Sequence, residues 1–112
     1  MPKAYVISEV EVIDEAGAAQ YRSLAASSIE AYGGRYLVRG AAVDTLEGPA
    51  LGVRLVIVEF PSIHQAKAWY DSAEYAPARA LRETPLERRL LLVEGYELPA
   101  PPNDPLESSR ER

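Results

Sequence analysis

The chain has 112 residues, of which 47% are hydrophobic and 26% are charged, a composition typical of one globular domain with a modest core. The net charge of −5 disfavours nucleic acid and anionic membrane surfaces as partners. The chain has no cysteine, which excludes disulfides and zinc thiolate sites. It has a single histidine, which excludes a multi-histidine metal centre within one chain. We therefore expect no metal and no other cofactor.

The N-terminus runs directly into an alternating strand pattern, without an apolar segment and cleavage site of the secretory type. No segment approaches the ~18 consecutive apolar residues of a membrane-spanning helix. These features favour a cytoplasmic protein.

The first part of the chain predicts a strand, a helix and a second strand. Residues 4–13 alternate in hydrophobicity with the period of a strand. Asp14 is a suitable N-cap for a helix whose apolar side has helical spacing. The residues on that side are Tyr21, Leu24, Ala25, Ser28, Ile29 and Tyr32. Gly33-Gly34 ends the helix, because glycine adopts the left-handed C-cap conformation at little cost, and residues 35–40 alternate as the second strand.

The second part predicts a strand, two helical segments and a last strand. Residues 44–52 contain turn-forming glycine and proline, and residues 54–60 form the third strand. The segment Ser62-Ile63-His64-Gln65 has the spacing of a capping box at the start of the second helix. Ser72 can cap a further short helix, and residues 90–98 form the last strand.

This element order, β-α-β-β-α-β, is the pattern of an α+β, ferredoxin-like domain with a four-stranded antiparallel sheet and both helices on one face. We assign the domain to residues 1–98. Residues 99–112 hold four of the nine prolines and almost nothing apolar, so we predict a C-terminal tail without a core of its own.

Each predicted strand has one nearly pure apolar side, which we assign to the helices. These sides are Val6/Val10/Val12, Tyr36/Val38, Val56/Val58/Phe60 and Leu91/Val93. The opposite sides mix aliphatic residues with one charge in each strand, namely Glu9, Arg39, Glu59 and Glu94. In water, those aliphatic residues would form a larger apolar patch than a monomer usually exposes. We therefore predict a homodimer in which two sheets face each other and form a barrel-like core.

The four charges on that side need partners, because an isolated buried charge is costly. A hairpin centred near Gly48-Pro49 places Arg39 opposite Glu59, and we predict a charge-assisted pair between them. Glu9 and Glu94 would then share a pocket, which tends to raise the pKa of at least one of them. The alternative is that all four are rim residues with solvated heads.

A set of short motifs is spread over residues 4–96. They are Tyr5-Val6, Tyr21, Ala31-Tyr32-Gly33-Gly34-Arg35, Val38-Arg39-Gly40, Leu46-Glu47-Gly48, Glu59-Phe60-Pro61-Ser62, Trp69-Tyr70, Ser72, Glu74-Tyr75, Arg79 and Val93-Glu94-Gly95. In combination, these motifs resemble the DUF1330 family. The chain departs from the family pattern at Ala41, where the family often has glycine, and at Ala18, where it often has an aromatic residue.

The resemblance implies a dimeric α/β barrel of the ferredoxin-like type, in agreement with the strand pattern. It implies no reaction, since the family is one of unknown function. Its superfamily also contains cofactor-independent monooxygenases, isomerases, dehalogenating enzymes and haem-binding members.

Two functions remain open. In the first, the dimer holds a small, partly apolar molecule between sheet and helices, where Arg39 binds an anionic or carbonyl oxygen and Glu59 or Glu9 moves a proton. The other candidate ligand-binding residues are Trp69, Tyr75, Arg79 and Glu94. In the second, the protein is a non-catalytic dimeric module whose charges fix the sheet register and whose interior has no cavity above about 300 Å³. Trp69 and Tyr75 also fit a role in the core.

Overall fold

The computed structural model describes residues 2–12, 14–81 and 86–97. Its elements are β1 (Ala4–Val12), α1 (Glu15–Ala31), β2 (Arg35–Ala41), β3 (Arg54–Phe60), α2 (Ile63–Tyr70), α3 (Ala76–Arg79) and β4 (Leu86–Glu94). The predicted tail, residues 99–112, lies outside the described residues and stays a prediction. Within the described part of the chain, no helix has both the length and the apolar character needed to cross a membrane.

The four strands form one sheet in the order β2-β3-β1-β4, and each neighbouring pair is antiparallel. β3 therefore lies between β1 and β2, which is the split-βαβ arrangement. Ala25 of α1 and Trp69 of α2 belong to one core cluster with Val58 of the sheet, so both helices cover the same face. The predicted α+β, ferredoxin-like fold is confirmed.

α1 forms where the sequence predicts it. Its N-cap is Asp14, although the aspartate side chain makes no capping hydrogen bond. Gly33, just after the helix, has a φ of 78°, a conformation that is free of strain only for glycine. On the predicted apolar side, Ala25, Ser28 and Ile29 are buried.

Serine side chains cap the turns around α2 and α3. Ser62 Oγ accepts a hydrogen bond of 3.1 Å from the backbone N–H of Gln65, as the capping-box spacing predicts. Ser72 Oγ accepts a hydrogen bond of 3.0 Å from the backbone N–H of Tyr75. These contacts stabilise the turn that brings the ring of Tyr75 against that of Trp69, and the centroids of the two rings are 4.3 Å apart.

The core lies between the sheet and the helices and contains three large aromatic rings. Phe60, Trp69 and Tyr75 are at most 2% exposed. Trp69 lies between the other two, with its ring centroid 5.3 Å from that of Phe60. Trp69 and Tyr75 are therefore core residues, which is one of the two roles that their spacing predicts.

β2 contains two irregularities that change which residues face the helices. Leu37 and Gly40 are extra residues that the pairing with β3 skips. Gly40 has a φ of 79°, as is typical of a glycine bulge. Because of the extra residue at 37, Arg39 pairs with Val56 and shares its helix-facing side. The prediction that Arg39 lies on the opposite side is wrong, since one bulge shifts the alternation by one residue.

β4 begins and ends four residues earlier than the predicted strand at 90–98. The β4 residues that pair with the helix-facing residues of β1 are Leu90, Leu92 and Glu94. The predicted assignment of the two sides of β4 is therefore reversed. Residues 90–93 are all apolar, so their alternation could not distinguish the two sides.

The side of the sheet away from the helices is largely apolar. We call it the open face, and its apolar residues are Tyr5, Ile7, Val38, Leu55, Ile57, Leu91 and Val93. Leu91 is 42% exposed and Val93 is 46% exposed. The expected mixture of aliphatic residues and charges is present on this side, with different members from β2 and β4.

Candidate functional site

A cleft of about 110 Å³ lies between α1 and the helix-facing side of the sheet, and we call it the α1 cleft. Most of its lining is apolar and includes Ala25 and Ile29 of α1 and Trp69 of α2. Its polar lining residues are Ser8, Tyr21, Arg22, Tyr36, Arg39 and Arg54. No aspartate, glutamate or histidine among the described residues lines the cleft. Its charged lining groups are therefore all cationic.

The sheet places three residues side by side on the floor of the α1 cleft. Ser8 of β1 pairs with Val56 of β3, and Val56 pairs with Arg39 of β2. Paired residues of antiparallel strands project to the same side, with neighbouring strands about 4.8 Å apart. The floor therefore carries three groups in a row, namely the hydroxyl of Ser8, the isopropyl group of Val56 and the guanidinium-bearing side chain of Arg39.

Arg39 lies over the ring of Tyr36, with its guanidinium carbon 4.3 Å from the ring centroid. This cation–π contact positions the guanidinium without using its N–H donors. No carboxylate forms an ion pair with Arg39 within the part of the chain that the structure describes. A guanidinium in this setting can donate two parallel hydrogen bonds to a carboxylate or a similar anion.

Tyr36 forms part of the cleft wall and carries a phenol that is protonated near neutral pH. Burial raises the pKa of this phenol above its ordinary value of 10.0; the Arg39 cation opposes the rise, and Tyr75 adds to it. A protonated phenol donates a hydrogen bond, so Tyr36 can act toward a ligand as a donor or an acid.

The other two arginines of the cleft already have partners. Arg22 Nη2 donates a hydrogen bond of 2.9 Å to Glu15 Oε1 on α1. Arg54 Nη1 donates a hydrogen bond of 2.8 Å to the backbone carbonyl of Gly40 and so supports the second bulge of β2 beside Arg39. Glu15 offsets the charge of Arg22, whereas the bond of Arg54 to a neutral carbonyl leaves its positive charge to act on the cleft.

Glu59 does not pair with Arg39, so the predicted pair is wrong. Glu59 Oε1 accepts hydrogen bonds from Arg35 Nε at 2.9 Å and from Lys3 Nζ at 3.3 Å. The register of β2 places Arg35, not Arg39, opposite Glu59 and on the side away from the α1 cleft. Desolvation alone would raise the pKa of Glu59, but the hydrogen bonds and charges of Arg35 and Lys3 outweigh it and hold the pKa below 4.5.

Glu9 and Glu94 do not share a pocket, which corrects the second prediction about these charges. Glu9 Oε2 accepts a hydrogen bond of 2.9 Å from Arg89 Nη2, and this bond raises the pKa of Arg89. Glu94 pairs with Ala4 near the start of β1 and faces the helices, whereas Glu9 faces the other way. Among the described residues, no three histidine, aspartate or glutamate side chains come together as a metal site.

Two predicted ligand-binding residues do belong to the cleft region. Trp69 lines the α1 cleft directly. Tyr75 is fully buried next to Trp69, and its hydroxyl shares a hydrogen bond of 2.8 Å with the hydroxyl of Tyr21, which lines the cleft. Tyr75 therefore supports the cleft wall from behind.

Arg79 lies outside the α1 cleft. Its guanidinium carbon is 5.0 Å from the ring centroid of Tyr70, and its Nη1 is 3.7 Å from Asp71 Oδ1. Of the predicted site residues, the structure thus brings Arg39, Trp69 and Tyr75 to one region. It leaves four of them elsewhere, namely Glu9, Glu59, Arg79 and Glu94.

The prediction from sequence missed five polar residues of the cleft, namely Ser8, Tyr21, Arg22, Tyr36 and Arg54. Ser8 has a visible signal, since it is a hydroxyl on the otherwise apolar helix-facing side of β1. Gly40 gives a second signal, because glycine within a strand often marks a bulge. Gly40 marks only the second bulge of β2, however, and it is the extra residue Leu37 that allows Arg39 to share a side of the sheet with Tyr36.

A second cleft, of about 240 Å³, lies between α2 and β4, and its lining includes Lys67, Tyr70, Asp71, Leu90, Leu91 and Leu92. Both clefts are smaller than the ~300 Å³ of a typical ligand pocket. Size therefore favours a non-catalytic module, whereas the cationic lining of the α1 cleft favours a binding site.

Comparisons with known proteins agree with this fold. A family model described as "Domain of unknown function (DUF1330)" matches residues 3–96. Among solved structures, a protein of unknown function from Rhodopseudomonas palustris has a TM-score of 0.69 at 17% identity, over 87% of this chain and 85% of that chain. No curated protein matches the sequence.

Two further solved structures have names that suggest an enzymatic activity for those proteins. A conserved protein of unknown function from Bacteroides thetaiotaomicron, named a possible oxidoreductase, has a TM-score of 0.61 at 16% identity, over 84% of this chain and 98% of that chain. A candidate antibiotic biosynthesis monooxygenase from Caulobacter crescentus has a TM-score of 0.55 at 18% identity, over 86% and 92% of the two chains. At these identities the similarity establishes the fold alone. Because the family model spans most of the chain, this protein is a member of the DUF1330 family.

Proposed function

We propose that this protein is a homodimer that binds a small, mostly apolar organic anion in the α1 cleft. The observation that carries the proposal is the guanidinium of Arg39, which lies at an apolar cleft and has no carboxylate partner within the described part of the chain. Arg39 is an exposed residue at this cleft, and the planar fork of its N–H donors can bind a carboxylate or a negatively charged carbonyl oxygen.

The size of the cleft limits the ligand. Its volume of about 110 Å³ is smaller than the ~150 Å³ cavity that holds benzene in an engineered protein. The cleft therefore holds at most part of a single ring or a short branched chain, and the anionic end of the ligand stays at the mouth. That arrangement places the ring near Val56 and Trp69 and the anion beside Arg39.

Chemistry in this cleft would depend on tyrosine and arginine rather than on a carboxylate. The Tyr36 hydroxyl can donate a hydrogen bond or a proton to a ligand oxygen, and Arg39 can stabilise negative charge that forms there. Glu9 and Glu59 face the other side of the sheet and take no part. Binding is therefore the primary proposal, and cofactor-independent acid–base chemistry through Tyr36 is its extension.

Trp69 provides a direct readout of ligand binding, because it is the only tryptophan and it lines the cleft. Benzoate and benzyl alcohol are suitable matched probes, since each has one ring and only benzoate is an anion. In NMR titrations, we expect benzoate to shift the indole N–H signal of Trp69 with saturation. We expect benzyl alcohol to bind about tenfold more weakly, the effect of losing one charge-assisted contact.

Substitution of Arg39 separates specific recognition of the anion by its guanidinium from non-specific electrostatic attraction of the anion to the protein. Arg39→Gln should weaken benzoate binding about tenfold and leave benzyl alcohol binding unchanged, while Arg39→Lys should lose part of the affinity because lysine lacks the planar fork. Lys67→Gln is the control, since it removes one positive charge at an exposed position outside the α1 cleft. Absence of benzoate binding, or equal loss in Arg39→Gln and Lys67→Gln, would contradict the proposal.

The open face supports the dimer in this proposal. Two carboxylates of this face are paired within the chain, Glu59 with Arg35 and Lys3 and Glu9 with Arg89. A second copy of the same face can therefore cover the aliphatic residues around these two pairs without leaving either carboxylate unpaired in the interface. Full burial of one such side chain contributes on the order of 1.5–3 kcal/mol before the cost of association.

Ile57→Lys tests the dimer. Ile57 lies in the middle of β3 and pairs with Ile7 on one side and Val38 on the other. We expect sedimentation equilibrium to give a dimer for the wild type and a folded monomer for Ile57→Lys. Leu46→Lys is the matched control, because Leu46 is 91% exposed in the loop between β2 and β3. A wild-type monomer at micromolar concentration, or a dimer that survives Ile57→Lys, would contradict this proposal.

The second candidate function is a non-catalytic dimeric module, and the small volumes of the two clefts favour it. In that case Arg39 stabilises the fold through its contact with Tyr36. An intact dimer that does not bind benzoate, together with reduced stability of Arg39→Gln, would favour the non-catalytic module.

A further inference from the structure

Ser8 is a buried polar residue that stands out among the described residues of the core. It is only 7% exposed and lies on the floor of the α1 cleft. Within the described part of the chain, its hydroxyl has no hydrogen-bond partner. Buried hydroxyl groups are rarely left unpaired in proteins, because desolvation without a compensating hydrogen bond is unfavourable.

The other two buried serines of the described chain show the usual situation. Ser28 Oγ donates to the carbonyl of Ala25 at 2.8 Å and accepts from the indole N–H of Trp69 at 2.9 Å. Ser72 Oγ donates to the carbonyl of Trp69 at 2.7 Å and accepts from the N–H of Tyr75 at 3.0 Å. Both hydroxyls are fully used in holding the helices, whereas that of Ser8 has no such bond in the described part of the chain and is available to a ligand as partner.

The position of Ser8 relative to Arg39 defines what that partner would be. The two residues lie in one cross-strand row with Val56 between them. Two strand spacings separate their α carbons by about 10 Å. A ligand that contacts both must carry two polar groups with an apolar part between them, because the surface between Ser8 and Arg39 is the side chain of Val56.

We propose that Ser8 is a specificity-determining residue that hydrogen-bonds a second polar group of the ligand. This inference rests on the proposed function, and it narrows the ligand class to anions with a hydroxyl or carbonyl group at the end opposite the anionic group. The anion lies at Arg39, the apolar middle of the ligand lies over Val56, and the second polar group reaches the hydroxyl of Ser8.

The para-substituted benzoates test this proposal at constant charge and nearly constant shape. 4-Hydroxybenzoate has the required second group, and 4-methylbenzoate has an apolar group of similar size in its place. With the Trp69 indole signal as the readout, the wild type should bind 4-hydroxybenzoate about fivefold more tightly than 4-methylbenzoate, the usual effect of one neutral hydrogen bond.

Variants at Ser8 show whether the preference comes from this hydroxyl. Ser8→Ala should abolish or reverse the preference for 4-hydroxybenzoate over 4-methylbenzoate. Ser8→Thr, which retains a hydroxyl, should restore part of the preference. Arg39→Gln should weaken both para-substituted ligands equally, because it acts on the shared carboxylate.

The outcomes separate this inference from the function on which it rests. If benzoate binds in an Arg39-dependent way but the preference is absent or survives in Ser8→Ala, the role of Ser8 is wrong and the proposed function stands. If none of these ligands binds, both are wrong. A preference that is lost in Ser8→Ala and regained in Ser8→Thr supports both.

Discussion

The indole N–H of Trp69 donates a hydrogen bond of 2.9 Å to the hydroxyl of Ser28, and both residues are at most 2% exposed. This bond joins α2 to α1 behind the α1 cleft. It orients the one tryptophan of the cleft and uses the hydroxyl that the sequence places at a helical core position.

Ser28→Ala should lower the free energy of unfolding by about 1–3 kcal/mol, since it leaves the buried indole N–H without a partner. Urea unfolding followed by Trp69 fluorescence measures this change. Ser27→Ala is the control, because Ser27 is the neighbouring exposed serine of α1, and a surface substitution usually changes stability by less than about 0.5 kcal/mol. Equal effects of the two substitutions would contradict the structural role of the bond.

Gly34→Ala should be strongly destabilising, because the added methyl group would overlap with neighbouring side chains. A Cβ at this position would lie 2.7 Å from Ile29 Cγ2 and 2.7 Å from Phe60 Cε1. Such overpacking typically costs about 1–3 kcal/mol. In Gly48→Ala a Cβ meets nothing within 4 Å, and the cost comes only from the positive φ of 94°. Thermal unfolding should show the larger loss for Gly34→Ala, and the reverse order would rule out this explanation.

The ion pairs of Glu59 should contribute to stability in a defined pH range. Since the hydrogen bonds from Arg35 and Lys3 outweigh desolvation and lower its pKa from 4.5, the folded protein releases this proton more readily than the unfolded chain. The contribution is therefore complete above the unfolded pKa and is lost as pH falls through the lower folded pKa. The stability difference between wild type and Glu59→Gln should shrink as pH falls below about 4.5.

Urea unfolding at a series of pH values measures that difference. In a background with both Lys3→Gln and Arg35→Gln, the Glu59→Gln substitution should no longer show this pH dependence. Persistence of the pH dependence in that background would show that the two cations are not its cause.

Ser8→Ala should stabilise the protein, in contrast to most substitutions of a buried polar residue. It removes a hydroxyl without a partner in the described chain, and we expect the free energy of unfolding to rise by up to about 1 kcal/mol. Ser72→Ala is the matched comparison, because Ser72 is equally buried at 7% exposure but makes two hydrogen bonds. Chemical denaturation should give opposite signs for the two variants, and a loss of stability in both would indicate a structural role for Ser8.

Much of the fold could be predicted because its signals are local. The helical spacing of Ala25, Ser28 and Ile29 predicts the buried side of α1, and Ser62 with Gln65 predicts the start of α2. These patterns depend on neighbours within one or two turns of the chain. The two central strands, β1 and β3, were also assigned to the correct sides, since their alternation is regular.

The candidate site was less predictable because it depends on strand pairing. The strand alternation predicts Arg39 beside Glu59, whereas in the structure it lies beside Tyr36 and in one row with Ser8. The extra residue Leu37 causes this difference. A bulge is a relation between two strands, so the alternation within one strand does not reveal it.

The sequence by itself determined the order of the elements, the family and the apolar sides of the regular elements, because each follows from residue type and short-range spacing. Only the tertiary structure decided which side of the sheet receives Arg39, how Glu9 and Glu59 are paired, and that the hydroxyl of Ser8 lines the cleft. These features depend on register between strands that are distant in sequence, and a shift of one residue reverses the side to which every following side chain points.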